Sequence, residues 1–203
     1  MKKIMFNDRY GLTQAVIDGR KTMTRRIEFD KEFQKMIDDS DSYYYDDGYL
    51  VFATQDVDIH HVKTKYKVGE IVAVAQNYSS FYNILDNTRS IPEGAGWDNK
   101  MFVRADLMPH QIRITGIKCE RLQDISDEDC LKEGIFVNEY FGNGKKCHHY
   151  GIDGFFNGTE GWFARGWFDT PREAFASLID KVSGRGTWDG NPWVVAYDFE
   201  LVK

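Results

Sequence analysis

The sequence is poor in the residues that would give it an easy chemical identity. It holds three cysteines, Cys119, Cys130 and Cys147, with no C-x-x-C spacing, so neither a disulfide framework nor a standard zinc site follows from them. Its four prolines are too few for rigid linkers, and no repeat or low-complexity stretch divides the chain. No run approaches the roughly 18 apolar residues of a membrane span, and Met1–Asp8 is not apolar for long enough to read as a signal peptide. Surplus positive charge is missing too. Thirty-two acids against 26 bases leave a net charge of −6, which excludes a surface that binds polyanions everywhere. No phosphate-binding glycine loop, dinucleotide fingerprint or Ser-His-Asp arrangement is visible. The reading is of a soluble, cytoplasmic chain with no membrane partner, cofactor or metal.

What is present is a globular composition of 203 residues, 42% hydrophobic and 29% charged. This predicts one domain over residues 1–203, with insertions near 79–100 and 138–165. Aromatics reach 15%, which favours strands. Leu12, Ala15 and Val16 predict a helix over Tyr10–Asp18, stopped by Gly19. Phe33, Met36 and Ile37 predict an amphipathic turn, and Asp38–Gly48 reads as a loop. Strands are expected at Tyr49–Thr54, Ile71–Ala75, Met101–Arg104, Gln111–Leu122 and Trp193–Val202. In the last of these, alternation of Trp193, Val195, Tyr197, Phe199 and Leu201 with Asp198 and Glu200 predicts one buried and one wet face. Ser126 with Asp129, and Thr170 with Pro171 and Glu173, mark two helix starts. The fold class expected is α+β, mainly β: a closed, mostly antiparallel barrel decorated by short helices.

The densest basic stretch is Gly19-Arg20-Lys21-Thr22-Met23-Thr24-Arg25-Arg26. Such a cluster suits a phosphate, through arginine forks and threonine hydroxyls; as a solvated turn it would simply balance Asp18 and Glu28. The stretch resembles the opening motif of ASCH (activating signal cointegrator homology) domains, of the PUA-like superfamily. Further pieces resemble the larger bacterial and phage members in the same order. These are Lys67-Val68-Gly69-Glu70-Ile71, Met108-Pro109, Glu120-Arg121-Leu122-Gln123-Asp124-Ile125 with Glu133-Gly134-Ile135, and Asn191-Pro192-Trp193-Val194. The resemblance implies a PUA-like barrel with a cleft for RNA or a modified nucleoside or nucleotide, and Arg20, Lys21, Arg25 and Arg26 on its phosphate side. One small bacterial branch of the family hydrolyses the acetyl amide of acetylated cytidine with a Thr, a Lys and a Glu, which match Thr24, Lys21 and Glu133. Where relatives often carry an Arg-Glu pair, this chain has Ala75-Gln76.

Trp188, in Gly186-Thr187-Trp188-Asp189-Gly190, is a candidate base-stacking surface, with Trp162 and Trp167 beside it as weaker options and Trp193 assigned to the core. His60-His61 and Cys147-His148-His149 read as loop residues, since adjacent ligands rarely wrap one ion. Three functions follow. The first is an RNA or nucleoside/nucleotide binding module. The second is an amidohydrolase with Thr24 as nucleophile, Lys21 as base and Glu133 as its partner. The third is a ribonuclease, for which no histidine pair supports general acid–base cleavage. Hydrolysis requires Lys21 within roughly 2.6–3.2 Å of the Thr24 hydroxyl, or one water away. It also requires burial and the neighbouring arginines to outweigh the pull of Glu133 on the lysine proton.

Overall fold

The computed structural model describes residues 1–38, 40–54, 59–82, 94–142, 144–155 and 166–202. They form a mixed α+β fold with three sheets. The central sheet has five strands, in the order Lys3–Ile4 (β1), Ile71–Val74 (β6), Gln111–Arg121 (β7), Trp193–Val202 (β11) and Met23–Arg26 (β2). Only β1 and β6 run parallel.

Strand β11 pairs with β7 along its length and with β2 on its other side. It is therefore central, and Val194, Val195, Ala196 and Tyr197 are all buried. The expected wet face survives only near the end, at Glu200 and Leu201, because a strand covered on both faces loses its alternation. The register with β7 slips between Asp198 and Phe199, leaving Thr115 as an extra residue. This β-bulge moves the buried positions of β7 from Ile112 and Ile114 to Cys119. Lys118 and Glu120 are thereby turned to the opposite face.

The helices follow their sequence signals. Leu12–Ile17 (α1) buries Leu12, Ala15 and Val16 and is followed by Gly19 at φ 71°, a left-handed position that suits glycine. Lys31–Asp38 (α2) buries Ile37. The Ser126 hydroxyl accepts from Asp129 N at 3.1 Å and starts Asp127–Lys132 (α3). Thr170 does the same for Glu173 N at 3.1 Å at the head of Pro171–Ser183 (α4), which buries Ala174, Phe175, Leu178 and Ile179. A last short helix spans Thr187–Gly190 (α5).

Three stretches depart from the sequence reading. Asp38–Gly48 is not a loop: Ser40–Asp46 (β3) pairs with Tyr49–Thr54 (β4), which pairs with Ile59–Lys63 (β5). The turn between them is Asp47-Gly48, both at positive φ (33° and 92°), the dipeptide that a two-residue hairpin turn prefers. Likewise Phe136–Gly142 (β8) and Lys145–Gly151 (β9) form a hairpin inside the expected insertion, extended by Trp167–Phe168 (β10). Residues 83–93 of the other insertion, and 156–165 with Trp162, lie outside the described residues. Met101–Arg104 is not a strand. Asn99 accepts from Met101 N at 2.9 Å and starts a 3-10 turn over Lys100–Phe102, followed by another at Ala105–Leu107. Val103 and Leu107, four residues apart, carry the burial there, while Met101 and Phe102 stay exposed.

Among the described residues no backbone pairing joins β1 to β2, so the expected closed barrel is not found. The two edges nevertheless approach. Arg26 Nη2 donates to Met5 O at 2.8 Å across the seam, and Phe6 packs on Phe199 with ring centroids 5.7 Å apart. Helix α4 supplies one wall beside this seam. Thr170→Ala is expected to lower stability by about 1 kcal/mol, read as a lower urea midpoint at unchanged slope; an unshifted midpoint contradicts the capping role.

Candidate active site

The seam holds a pocket of about 370 Å³, within the roughly 300–1,000 Å³ usual for small-molecule sites. Met5 and Phe6 line it from the β1 side, Lys21, Thr24, Arg25 and Arg26 from the β2 side, and Glu133 with α4 residues Phe175 and Leu178 complete it. The three residues of the hydrolase reading therefore meet in one place.

Local backbone structure explains the meeting. After Gly19 the chain reverses, and Lys21 N donates to Ala15 O at 2.8 Å at the end of α1. Thr22 N then donates to Lys132 O at 2.9 Å, and Phe199 N to Thr22 O at 2.8 Å, tying the segment to α3 and β11. Glu133 is the residue that ends α3, and Gly134 follows at φ 102°. A Cβ on Gly134 would sit 3.3 Å from Leu12 Cδ2 and 3.6 Å from Lys21 Cδ. The missing side chain lets the lysine stem lie close beside Glu133.

Lys21 is only 2% exposed. Its Nζ donates to Glu133 Oε2 at 2.5 Å, to Met23 O at 2.7 Å and to Glu133 O at 2.8 Å. Three acceptors around one nitrogen is the arrangement of an ammonium. Burial pushes its pKa down, Glu133 pulls it up, Arg26 and Arg25 push it down again, and the result lies below the ordinary 10.5. No hydrogen bond links Nζ to the Thr24 hydroxyl, so the direct contact expected of a resting lysine–threonine pair is not made. Thr24, 5% exposed, instead faces the pocket.

Arg25 is the centre of the site's charge. Its side chain is fully buried, and Nη2 lies 2.6 Å from Glu120 Oε1 and 3.0 Å from Asp129 Oδ2, with Nη1 3.1 Å from Glu133 Oε1. Sheet register makes this reach possible. Ala196 lies between Arg25 on β2 and Lys118 on β7 in one cross-strand row, and its short side chain leaves room for the guanidinium to cross β11. Lys118 closes the network at 3.0 Å from Glu120 and 2.9 Å from Asp129, and Lys132 reaches Asp129 at 2.9 Å. Burial alone would raise the Asp129 carboxyl, but hydrogen bonds from Lys118, Lys132 and Arg25 hold it well below the ordinary 3.8.

The other expected residues lie elsewhere. Arg20 is exposed and bonded to Asp18 at 3.3 Å and Asp153 at 3.1 Å, away from the pocket. Arg25 lines the pocket but is spent on carboxylates, so it is no free phosphate ligand. Trp188 packs edge-on against Phe175 at 6.1 Å and under Arg172 at 5.2 Å, behind the pocket wall rather than in it. Trp193 is part-buried against the core, with Nε1 donating to Asp38 Oδ1 at 2.7 Å. His149 stacks on Tyr140 at 4.6 Å, and among the described residues no group of three or more His, Cys, Asp or Glu side chains gathers to hold a metal. Glu120, Asp129 and Lys118 are the site residues that sequence reasoning missed. Asp129 was accounted for by its capping role, and only the bulge turns Lys118 and Glu120 toward Arg25.

No protein-family model, curated protein or solved structure matches the chain. Two expectations follow from the network. Arg25→Met leaves three buried or half-buried carboxylates short of a counter-ion and should destabilise by about 3–5 kcal/mol, measured by urea denaturation; a loss under 1 kcal/mol contradicts a buried hub. Asp129, with its folded pKa depressed, contributes stability that is complete above about pH 4 and is lost as pH falls through the folded value. Asp129→Asn should flatten the acid limb of the stability curve; an unchanged limb contradicts the assignment.

Proposed function

We propose that the seam pocket binds a nucleoside-sized ligand and hydrolyses an acyl amide on it, with Thr24 as nucleophile, Lys21 as proton carrier and Glu133 as the group that holds Lys21. The carrying observation is the convergence of these three side chains in one pocket, with Lys21 out of water and its pKa below the ordinary value. An exposed lysine keeps its proton at neutral pH and is no base. This one has burial and two arginines working against its charge.

The chemistry proceeds in four proton-balanced steps. Lys21 first loses a proton to solvent on the alkaline side of its lowered pKa. With no direct Nζ–hydroxyl contact, the neutral amine then takes the Thr24 hydroxyl proton through one bridging water as the oxygen attacks the acyl carbon. The protonated lysine returns that proton to the departing amine, leaving an acyl-threonine ester. Water activated by the same amine hydrolyses the ester, releasing the acid and restoring Thr24. No histidine is among the lining residues, which leaves a ribonuclease without its usual acid and base.

Binding of a nucleoside is common to this reading and to that of a binding module. A broad RNA-binding face is less favoured, since Arg25 is buried and Arg20 is paired with two carboxylates. The fold is read as a PUA-like barrel of ASCH type, opened at the seam where the pocket lies. Cys119 and Cys130 are free, buried thiols, which suits a cytoplasmic setting, and among the described residues no helix is long and apolar enough to cross a membrane.

The test is release of cytidine from acetylated cytidine by the purified protein. Thr24→Val, close in size and lacking the hydroxyl, should reduce turnover by about 10²–10⁴-fold or more with an unchanged melting temperature. The wild-type rate should rise with pH along a limb set by the lowered lysine pKa. Binding without cleavage by the wild type sinks the hydrolase reading and leaves a binding module.

A further inference from the structure

The charges around the pocket are not all balanced. Lys21 faces Glu133, and Arg25 is surrounded by Glu120, Asp129 and Glu133. Arg26, by contrast, has no carboxylate within ion-pair distance among the described residues. Its Nη2 is held by Met5 O at 2.8 Å, its Nε is buried with no partner, and its Cζ lies 5.8 Å from the centre of the Phe6 ring. Met5 and Phe6 are both pocket residues, so the guanidinium is fixed in the wall. Glu28, two residues along, lies beyond ion-pair distance of Arg26: its Oε2 accepts from the Tyr197 hydroxyl at 2.8 Å and from Lys65 N at 3.4 Å, and its Oε1 is buried with no partner among the described residues. The rest of the lining is mostly apolar, with Met5, Ile27 and Val182 between 40% and 46% exposed and Asn7 and Ser183 as its uncharged polar members. A part-buried cation without a counter-ion is unfavourable, and a bound oxyanion relieves it while gaining charge-assisted hydrogen bonds.

We infer that the ligand of this pocket carries an oxyanion group, a phosphate monoester or a carboxylate, seated on Arg26. The inference rests on the hydrolase reading of the same pocket and names the class of substrate it takes. Arg26 and Thr24 are two residues apart on β2 and so on one side of it, with Cα atoms about 7 Å apart. The anion and the acyl carbon are therefore held at a set separation. Arg26 chooses the substrate, whereas Thr24 and Lys21 act on it.

Three substrates separate the possibilities: N-acetylcytidine, its 5′-monophosphate, and N-succinylcytidine, whose negative charge lies on the acyl group. Release of the free amine is measured with wild-type protein, Arg26→Gln and Arg26→Lys. At least one anionic substrate should show a KM about tenfold below that of the neutral one. The advantage should vanish in Arg26→Gln, return in part in Arg26→Lys, and shrink as salt is added. A gain limited to the monophosphate identifies a nucleotide, and a gain limited to the succinyl compound places the anion on the acyl chain. Equal KM values for all three in the wild type, or a preference that survives Arg26→Gln, overturns the inference. If none is hydrolysed, the hydrolase reading falls by itself. Calorimetric Kd values for the same ligands and variants then decide the anion preference by the same comparison, and absence of binding overturns it.

Discussion

The structure depends most on the burial of two cations, Lys21 and Arg25, against one carboxylate, Glu133. Removing such charges from water is expensive, and their attraction repays the cost only when geometry is good and the remaining hydrogen-bonding groups are filled. Both conditions hold here. Glu133 presents one oxygen to Lys21 and the other to Arg25, while Arg25 spends its remaining donors on Glu120 and Asp129. An apolar cluster of the same volume would give comparable or better stability. What the ionic version provides, and an apolar one does not, is a buried lysine in a pocket with its pKa below the ordinary value.

The open seam is the second constraint. A sheet closed by a backbone ladder would place β1 against β2 and leave no room between them. Here the approach is made by side chains: Arg26 reaches Met5 O, and Phe6 lies against Phe199. The gap left by the missing ladder is the pocket itself. Edge strands with unpaired backbone are a hazard in general, and this one is short, rich in charged side chains and flanked by α4.

The legible parts of the sequence were those written in local chemistry. The α4 helix could be read from Thr170, Pro171 and the spacing of Phe175, Leu178 and Ile179, and β11 from its run of large residues. The Lys21–Thr24 segment stood out because four bases crowd an acidic chain. Asp47-Gly48 was a hairpin signal that the polar and aromatic residues around it masked. The Arg25 network was not legible at all. It requires a bulge at Thr115 to turn Lys118 and Glu120, and a small residue at Ala196 on the strand between Arg25 and Lys118. Both are long-range facts of register. For the same reason four neighbouring bases looked alike in sequence, yet the fold exposes Arg20, buries Lys21 and Arg25 in ion pairs and leaves Arg26 in the pocket wall.

The charge state of buried Lys21 decides between a catalytic and a structural role, and it can be observed directly. Titration of the Lys21 side chain by the 13Cε shift, assigned with Lys21→Arg protein, should give a midpoint below 10.5, because burial and the two arginines outweigh Glu133. A midpoint at or above the ordinary lysine value would mean that the ion pair dominates, and that Lys21 is a structural cation with no part in catalysis.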